Sequence, residues 1–205
     1  MTDVLSATPE GINRAAELLR AGEVVAFPTD TVYGVGVALS RRERLPDLFA
    51  LKARPPDRRI PILVADLAQA AGAGWETDDR AHRLSEQFWP GALTLVLAGS
   101  AESQAFRAPD HPVALALIRA AGPILATSAN RSGEPDTLGA DDVLIAFALQ
   151  QDELAAVVGG GTVPGGVAST VLDLSVTPAR ILREGPVTRE QLAELVELAP
   201  WDERR

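Results

Sequence analysis

The chain has 205 residues, a formal net charge of −9 and no cysteine. That length holds one domain with a sizeable core, and 46% hydrophobic residues favour a folded chain over a disordered one. Without thiols there can be no disulfide, thiolate metal site or cysteine nucleophile, and the acidic total weighs against a general nucleic-acid binder, whose affinity comes from neutralising phosphates.

Met1 to Glu10 lack the charged-then-apolar pattern of a secretory signal. Thr8-Pro9-Glu10 reads as a helix start, Ile12, Ala15, Ala16, Leu18 and Leu19 as its apolar stripe, and Gly22 as its stop. Val24 to Phe27 is a short buried strand, followed by a polar, glycine-containing loop from Thr29 to Gly36. Arg41 to Ala53 is expected as a helix capped by Ser40, with Pro46 able to trim its first turn. Ile60 to Val64 and Leu93 to Leu97 read as strands, with helices from Asp66 to Ala71 and Asp78 to Phe88 between them. Pro112 to Ala121 is a helix closed by Gly122; Ile124 to Thr127 is a strand, Ala140 to Leu149 a helix and Ala155 to Val158 a strand. Val171 to Leu174 and Ala179 to Leu182 pair across a turn at Thr177-Pro178. Thr188 and Gln191 form a capping box for a last helix, Arg189 to Leu198, and 200–205 is expected as a loose tail. The order is not strictly βαβ, which favours an α/β sheet of mixed direction. Glycines at Gly159-Gly160-Gly161 and Gly165-Gly166 mark a flexible loop, and nothing divides the chain into two domains. No apolar run approaches the ~20 residues of a membrane span, so a cytoplasmic protein is expected.

Five segments carry chemistry. Pro28-Thr29-Asp30-Thr31-Val32-Tyr33-Gly34 follows a buried strand, where α/β proteins place ligands; its threonines and Tyr33 suit a small polar ligand, and a tight turn with local caps explains them as well. Lys52-Ala53-Arg54-Pro55-Pro56-Asp57-Arg58-Arg59 puts four cations in eight residues, fit for phosphates or for the dipole of a helix end. Lys52 is the one lysine beside 18 arginines. Arg107 precedes the stiff bend Pro109-Asp110-His111-Pro112 and is placed to grip a carboxylate, while a surface helix N-terminus capped by Asp110 or His111 explains the bend as well. Thr127-Ser128-Ala129-Asn130-Arg131-Ser132-Gly133 follows a strand and offers small donors and an anion-binding turn. Ser169-Thr170 follows the glycine loop, with Arg183 in Ile181-Leu182-Arg183-Glu184-Gly185. His82 and His111 lack zinc-ligand spacing.

In their order and spacing these segments, with Phe88-Trp89-Pro90-Gly91-Ala92-Leu93-Thr94, resemble the YrdC family from about Gly22 to Gly185. The resemblance implies a single-domain α/β fold, a twisted mixed sheet with a concave basic cleft flanked by helices. It implies a threonylcarbamoyl-AMP synthase that makes L-threonylcarbamoyladenylate and pyrophosphate from L-threonine, bicarbonate and ATP. Other proteins then transfer the group to tRNA; direct tRNA contact is left open. By motif position, Lys52 and Arg54 would be catalytic and would bind ATP with Ser128, Asn130 and Arg183, and by spacing Arg58 and Ser103. Thr31, Tyr33, Arg107, Ser169 and Thr170 would hold threonine, with Ala126 contributing backbone. Magnesium would come with the ATP phosphates, with no certain protein ligand; Asp30 is a candidate for ligand, base or turn cap. Longer relatives carry a further C-terminal domain, and this chain is expected to be the short form.

Three positions depart from the family pattern: Leu63 stands near where many relatives have a threonine-binding histidine, Asp136 where longer ones often have serine, and Ala168 where some have glutamate. Three alternatives are an RNA-binding module, the carbamoyl-adenylate activity of YrdC-like modules in hydrogenase maturation proteins, and a degenerate homologue that binds nucleotide as a regulator, against which the intact basic segment and Thr127-Ser128-Ala129-Asn130 argue. The acidic charge and isolated tryptophans weigh against the first. The second belongs to larger multidomain chains.

Overall fold

In the computed structural model, residues 2–53, 59–150 and 152–200 are described. The expected tail at 201–205 and the expected ATP contacts Arg54 and Arg58 lie outside them.

One mixed sheet of ten strands organises the described chain. The strands are β1 (Asp3–Leu5), β2 (Val25–Pro28), β3 (Tyr33–Ala38), β4 (Ile62–Leu63), β5 (Leu93–Ala98), β6 (Ser103–Arg107), β7 (Ile124–Ser128), β8 (Ala156–Val158), β9 (Thr170–Asp173) and β10 (Arg180–Arg183). They lie in the order β1-β8-β2-β3-β7-β4-β6-β5-β9-β10. β2 and β7 both run antiparallel to β3, whereas β8 beside β2, and β9 beside β5, run parallel to their neighbours. The mixed sheet expected from the order of elements is therefore the one that forms.

Seven α-helices accompany it among the described residues: α1 (Pro9–Ala21), α2 (Leu45–Lys52), α3 (Leu67–Gly72), α4 (Asp79–Phe88), α5 (Pro112–Ala121), α6 (Ala140–Ala146) and α7 (Arg189–Ala193). Their limits follow local chemistry. The Thr8 hydroxyl accepts from the Gly11 amide, and Gly22 ends α1 at φ 98°. The Asp66 and Asp78 carboxylates cap α3 and α4 in the same way. Thr188 and Gln191 cap α7 reciprocally.

Strand alternation divides the sheet into two faces. Val25 and Phe27 of β2 and Ile124 and Ala126 of β7 pack with α1 and α5. Ala26, Val35, Val37 and Leu125 point the other way, into a core completed by Leu48 and Leu51 of α2, Leu84 of α4 and Val143 of α6.

Several expectations need correction. The helix expected from Arg41 to Ala53 is a 3-10 turn over Leu39–Arg44 followed by α2, because Arg41 has non-helical backbone angles (φ −123°, ψ 35°). Ser40 lies inside that turn. Pro46 sits in the first turn of α2, where no amide is needed. The loop expected from Thr29 to Gly36 ends at Val32, and Tyr33–Ala38 is a fully buried strand. Its glycines hid that pattern. Gly36 is needed there, since a Cβ would lie 2.4 Å from the Leu125 carbonyl oxygen. β1 and β6 were not anticipated, and α6 and α7 stop short of Leu149 and Leu198.

Candidate active site

Helices α1 and α5 cover the first face over β8, β2, β3 and part of β7. Beyond them the same face opens into a cleft of about 460 Å³. Register sets its floor: Gly34 of β3 lies opposite Ser128 of β7, Leu63 of β4 beside Arg107 of β6, and Thr94 of β5 beside Val171 of β9. Gly34, Ala105 and Ala126 have little or no side chain and so leave depth above the sheet. Among the described residues, Arg59, Arg107, Arg183 and Asp136 are the charged ones on the lining, giving three cations to one anion. Such a balance suits an anionic ligand.

The loop between β2 and β3 closes on itself. The Thr29 hydroxyl donates to the Val32 carbonyl at 2.6 Å and accepts from the Thr31 amide at 3.3 Å. Thr31 is thereby held on the cleft wall. The same loop carries Asp30, whose Oδ2 accepts from Arg107 Nη2 at 2.6 Å. Arg107 Nε donates to the Gly91 carbonyl at 2.9 Å. Side-chain exposure is 12% for Arg107 and 17% for Asp30, so this pair is shielded from solvent screening. Burial pulls the guanidinium pKa below its ordinary value, the Asp30 carboxylate opposes this, and nearby Arg183 adds to the lowering. Arg107 Nη1 makes no hydrogen bond among the described residues and is not a buried orphan, which leaves one edge of the fork for a ligand.

A second cluster centres on Ser169. Its hydroxyl lies 2.8 Å from that of Thr94. Arg183 donates through Nε to the Ser169 carbonyl at 3.0 Å and through Nη2 to its hydroxyl at 3.3 Å. Both side chains, with Arg183, line the cleft.

A third cluster shapes the turn after β7. The Lys52 ammonium donates to the carbonyls of Ser128 and Asn130 and, at 3.4 Å, to Asn130 Oδ1. Ser128 donates to Asn130 Oδ1 at 2.6 Å, and Asn130 Nδ2 donates to the Glu134 carbonyl. Two amides of this turn are engaged inside the protein, Ala129 with the Tyr33 carbonyl and Ser132 with the Lys52 carbonyl. They are therefore not part of an open anion nest.

Of the residues expected around threonine, Thr31, Arg107, Ala126 and Ser169 come together on the cleft; of those expected around ATP, Ser128 and Arg183 do. Others are turned to internal work. Lys52 is 2% exposed, and its ammonium donates to the carbonyls of the turn after β7, so it braces the cleft from below. Asn130 shares that network. Tyr33 is fully buried, with its hydroxyl bound to the Gly161 carbonyl and the Gly160 amide. The Thr170 hydroxyl donates to the Val187 carbonyl at 2.7 Å. Ser103 contacts Arg59 through its carbonyl and hydroxyl and does not line the cleft.

Arg59, one of the four cations of the candidate phosphate segment, lines the cleft, and Thr94 was missed as a site residue. A polar residue inside the apolar run Leu93 to Leu97 was the available signal for Thr94. The departures Leu63, Asp136 and Ala168 all lie on the lining. Among the described residues no three or more His, Asp or Glu side chains are grouped to hold a metal ion. No described helix is long and apolar enough to cross a membrane.

The family model for Sua5, YciO and YrdC proteins, described as telomere recombination, matches residues 17–185. The chain belongs to the Sua5/YciO/YrdC family. A threonylcarbamoyl-AMP synthase of Bacillus subtilis is 40% identical over 208 residues, covering 96% of this chain and 59% of the relative. One of Chromohalobacter salexigens is 36% identical over 180 residues, covering 82% of this chain and 94% of the relative. Among solved structures, the Sua5 protein of P. abyssi complexed with L-threonine superposes with a TM-score of 0.85 at 33% identity, over 98% of this chain and 63% of that one. The chain thus spans less than two thirds of the Bacillus and Pyrococcus relatives. E. coli YciO shares the fold, with a TM-score of 0.77 at 24% identity.

Proposed function

We propose that this Sua5/YciO/YrdC protein is a threonylcarbamoyl-AMP synthase, joining L-threonine, bicarbonate and ATP into L-threonylcarbamoyladenylate with release of pyrophosphate. The observation that carries the reading is Arg107. Its guanidinium is fixed from two sides in a cleft that also presents Thr31 and the Thr94–Ser169 hydroxyl pair. A substrate carboxylate placed on the remaining edge of the fork would set the amino acid beside Arg183. The P. abyssi relative is complexed with L-threonine, which supports threonine as the amino acid.

The chemistry asks for position and charge, not for a protein nucleophile. The amine of threonine and bicarbonate form an N-carboxy amino acid with loss of water. Its new carboxylate attacks the α-phosphorus of ATP, a P–O bond forms, and pyrophosphate leaves with the electrons of the broken P–O bond. Arg183 and Arg59 are the lining cations for the phosphates, and Ser128 adds a hydroxyl at the cleft edge. Holding both reactants in one shielded cleft lowers the entropic barrier, and fixed cations oppose the charge developing on phosphorus oxygens.

Magnesium would arrive with ATP and neutralise phosphate charge. Asp136 is the carboxylate it would meet on the described lining; Asp30 is tied to Arg107 through Oδ2, and its Oδ1 is buried. The product would pass in the cytoplasm to proteins that move the threonylcarbamoyl group onto tRNA. Labelled bicarbonate tests the reaction: label should enter an adenylate when threonine and ATP are present, and its absence there would remove the assignment.

A further inference from the structure

The Asp30–Arg107 pair leaves two loose ends. Oδ1 of Asp30 is buried and has no hydrogen-bond partner, and the same is true of Nδ1 of His111. His111 stands at the N-cap position of α5 but makes no capping bond, and Pro112 after it offers no amide to cap. Its own amide donates to the Pro109 carbonyl, which fixes the backbone. The segments that carry them meet: His111 shares its groove with Gly160, which sits against Pro28, two residues before Asp30, and Asp30 binds Arg107, four residues before His111. Burial lowers the pKa of His111, and the charges of Asp30 and Asp110 oppose this. The other residues of the groove beside His111, among them Leu5, Ser6 and Gly160, carry no charge. Buried polar atoms are seldom left unpaired, so two such atoms on segments that meet call for a reason.

We infer that Asp30 is a positioning residue for Arg107, and that neutral His111, carrying its proton on Nδ1, donates to Asp30 Oδ1 to complete a His111–Asp30–Arg107 chain when the amino acid binds. The carboxylate then has a donor on each oxygen, and the guanidinium keeps its outer edge on the cleft. Neither Asp30 nor His111 touches the reacting atoms; both act through Arg107. This rests on the reading of Arg107 as the carboxylate site.

The test is calorimetric titration of the full chain with L-threonine, using wild type, Asp30→Asn, His111→Ala and His111→Asn. A non-hydrolysable ATP analogue and a thermal melt serve as controls. The asparagine at 111 keeps an N–H donor near the place of Nδ1. Asp30→Asn should weaken threonine about tenfold or more and His111→Ala about three- to tenfold, the range for losing a hydrogen bond to a charged group. His111→Asn should stay within about twofold of wild type, and analogue affinity should stay within about twofold throughout. Unchanged threonine affinity in Asp30→Asn or His111→Ala overturns the inference. So does a His111→Asn variant as weak as His111→Ala, or equal loss of analogue binding and melting temperature, which would mark plain structural support. A wild type that binds no threonine instead overturns the function proposed above. The network is then judged without ligand by the Nε–H nuclear magnetic resonance signal of Arg107, assigned with Arg107→Lys. Protection from exchange should fall in Asp30→Asn and His111→Ala and persist in His111→Asn; equal protection in all four proteins contradicts the chain.

Discussion

The hydroxyl of Tyr33 donates to the carbonyl of Gly161 at 2.9 Å, tying the start of β3 to the glycine loop 128 residues later. The Gly160 amide donates back to the same oxygen at 3.1 Å. One phenol therefore anchors the near end of the loop whose far end, at Gly166, Ala168 and Ser169, lines the cleft.

Tyr33→Phe leaves that carbonyl and amide without their partner. A loss of about 1–3 kcal/mol is expected, seen as a lower denaturant midpoint at unchanged slope. Tyr33 is the only tyrosine, so its titration can be followed by tyrosinate absorbance without overlap from another phenol. Burial raises its pKa above 10.0, while the Gly160 amide works the other way. The folded state thus holds the proton more tightly than the unfolded one. Its contribution to stability is complete below the unfolded value and is lost as pH rises through the folded value. Wild type should show this alkaline loss, and Tyr33→Phe should lack that component.

Lys52→Ala should act first on stability. It strips the carbonyls of Ser128 and Asn130 of their donor, at an expected cost of roughly 2–4 kcal/mol. Melting should fall by roughly 5–10 °C, and adenylate formation should fall with it as the turn after β7 loosens. A Lys52→Ala protein with wild-type melting and no activity would restore the role of a direct phosphate ligand.

Thr94→Val keeps the shape of the side chain and removes the hydroxyl beside Ser169. The expected result is a drop of about tenfold in kcat/KM for threonine, the worth of one hydrogen bond. KM for ATP should move less. Steady-state kinetics with each substrate varied in turn checks the split.

Serine should be a poor but detectable substrate. It differs from threonine by one methyl, worth ~1–3 kcal/mol, or about 10–200-fold. Leu63, Ala126 and Val171 give the cleft an apolar floor near Thr31 and Ser169 that could hold that methyl. Equal specificity constants for the two amino acids would exclude such a contact.

The parts of the fold legible in the sequence were those made by neighbours along the chain. Thr8 and Gly22 bound α1, Pro112 and Gly122 bound α5, and Thr188 with Gln191 opens α7, each through contacts within a turn. Strand β3 was hidden because Gly34 and Gly36 break the apolar alternation, although Gly36 is there to admit the neighbouring strand. Strand β6 was hidden because Ser103 and Gln104 are polar; Gln104 donates across the fold to the Ile60 carbonyl as well as to that of Ala105 beside it. The site divides the same way. Motif positions placed Thr31, Arg107, Ser128, Ser169 and Arg183, which do share one cleft. Motifs could not say that Asp30 would meet Arg107, 77 residues away, or Thr94 meet Ser169, 75 residues away. They also could not say that the charge of Lys52 would be directed inward. Those relations depend on sheet register, which no local stretch of sequence records.

The central claim is best tested by measuring pyrophosphate release from ATP with threonine, bicarbonate or ATP omitted in turn. Release that requires all three is the expected result. Release independent of threonine and bicarbonate, or none when all are present, would contradict the assignment.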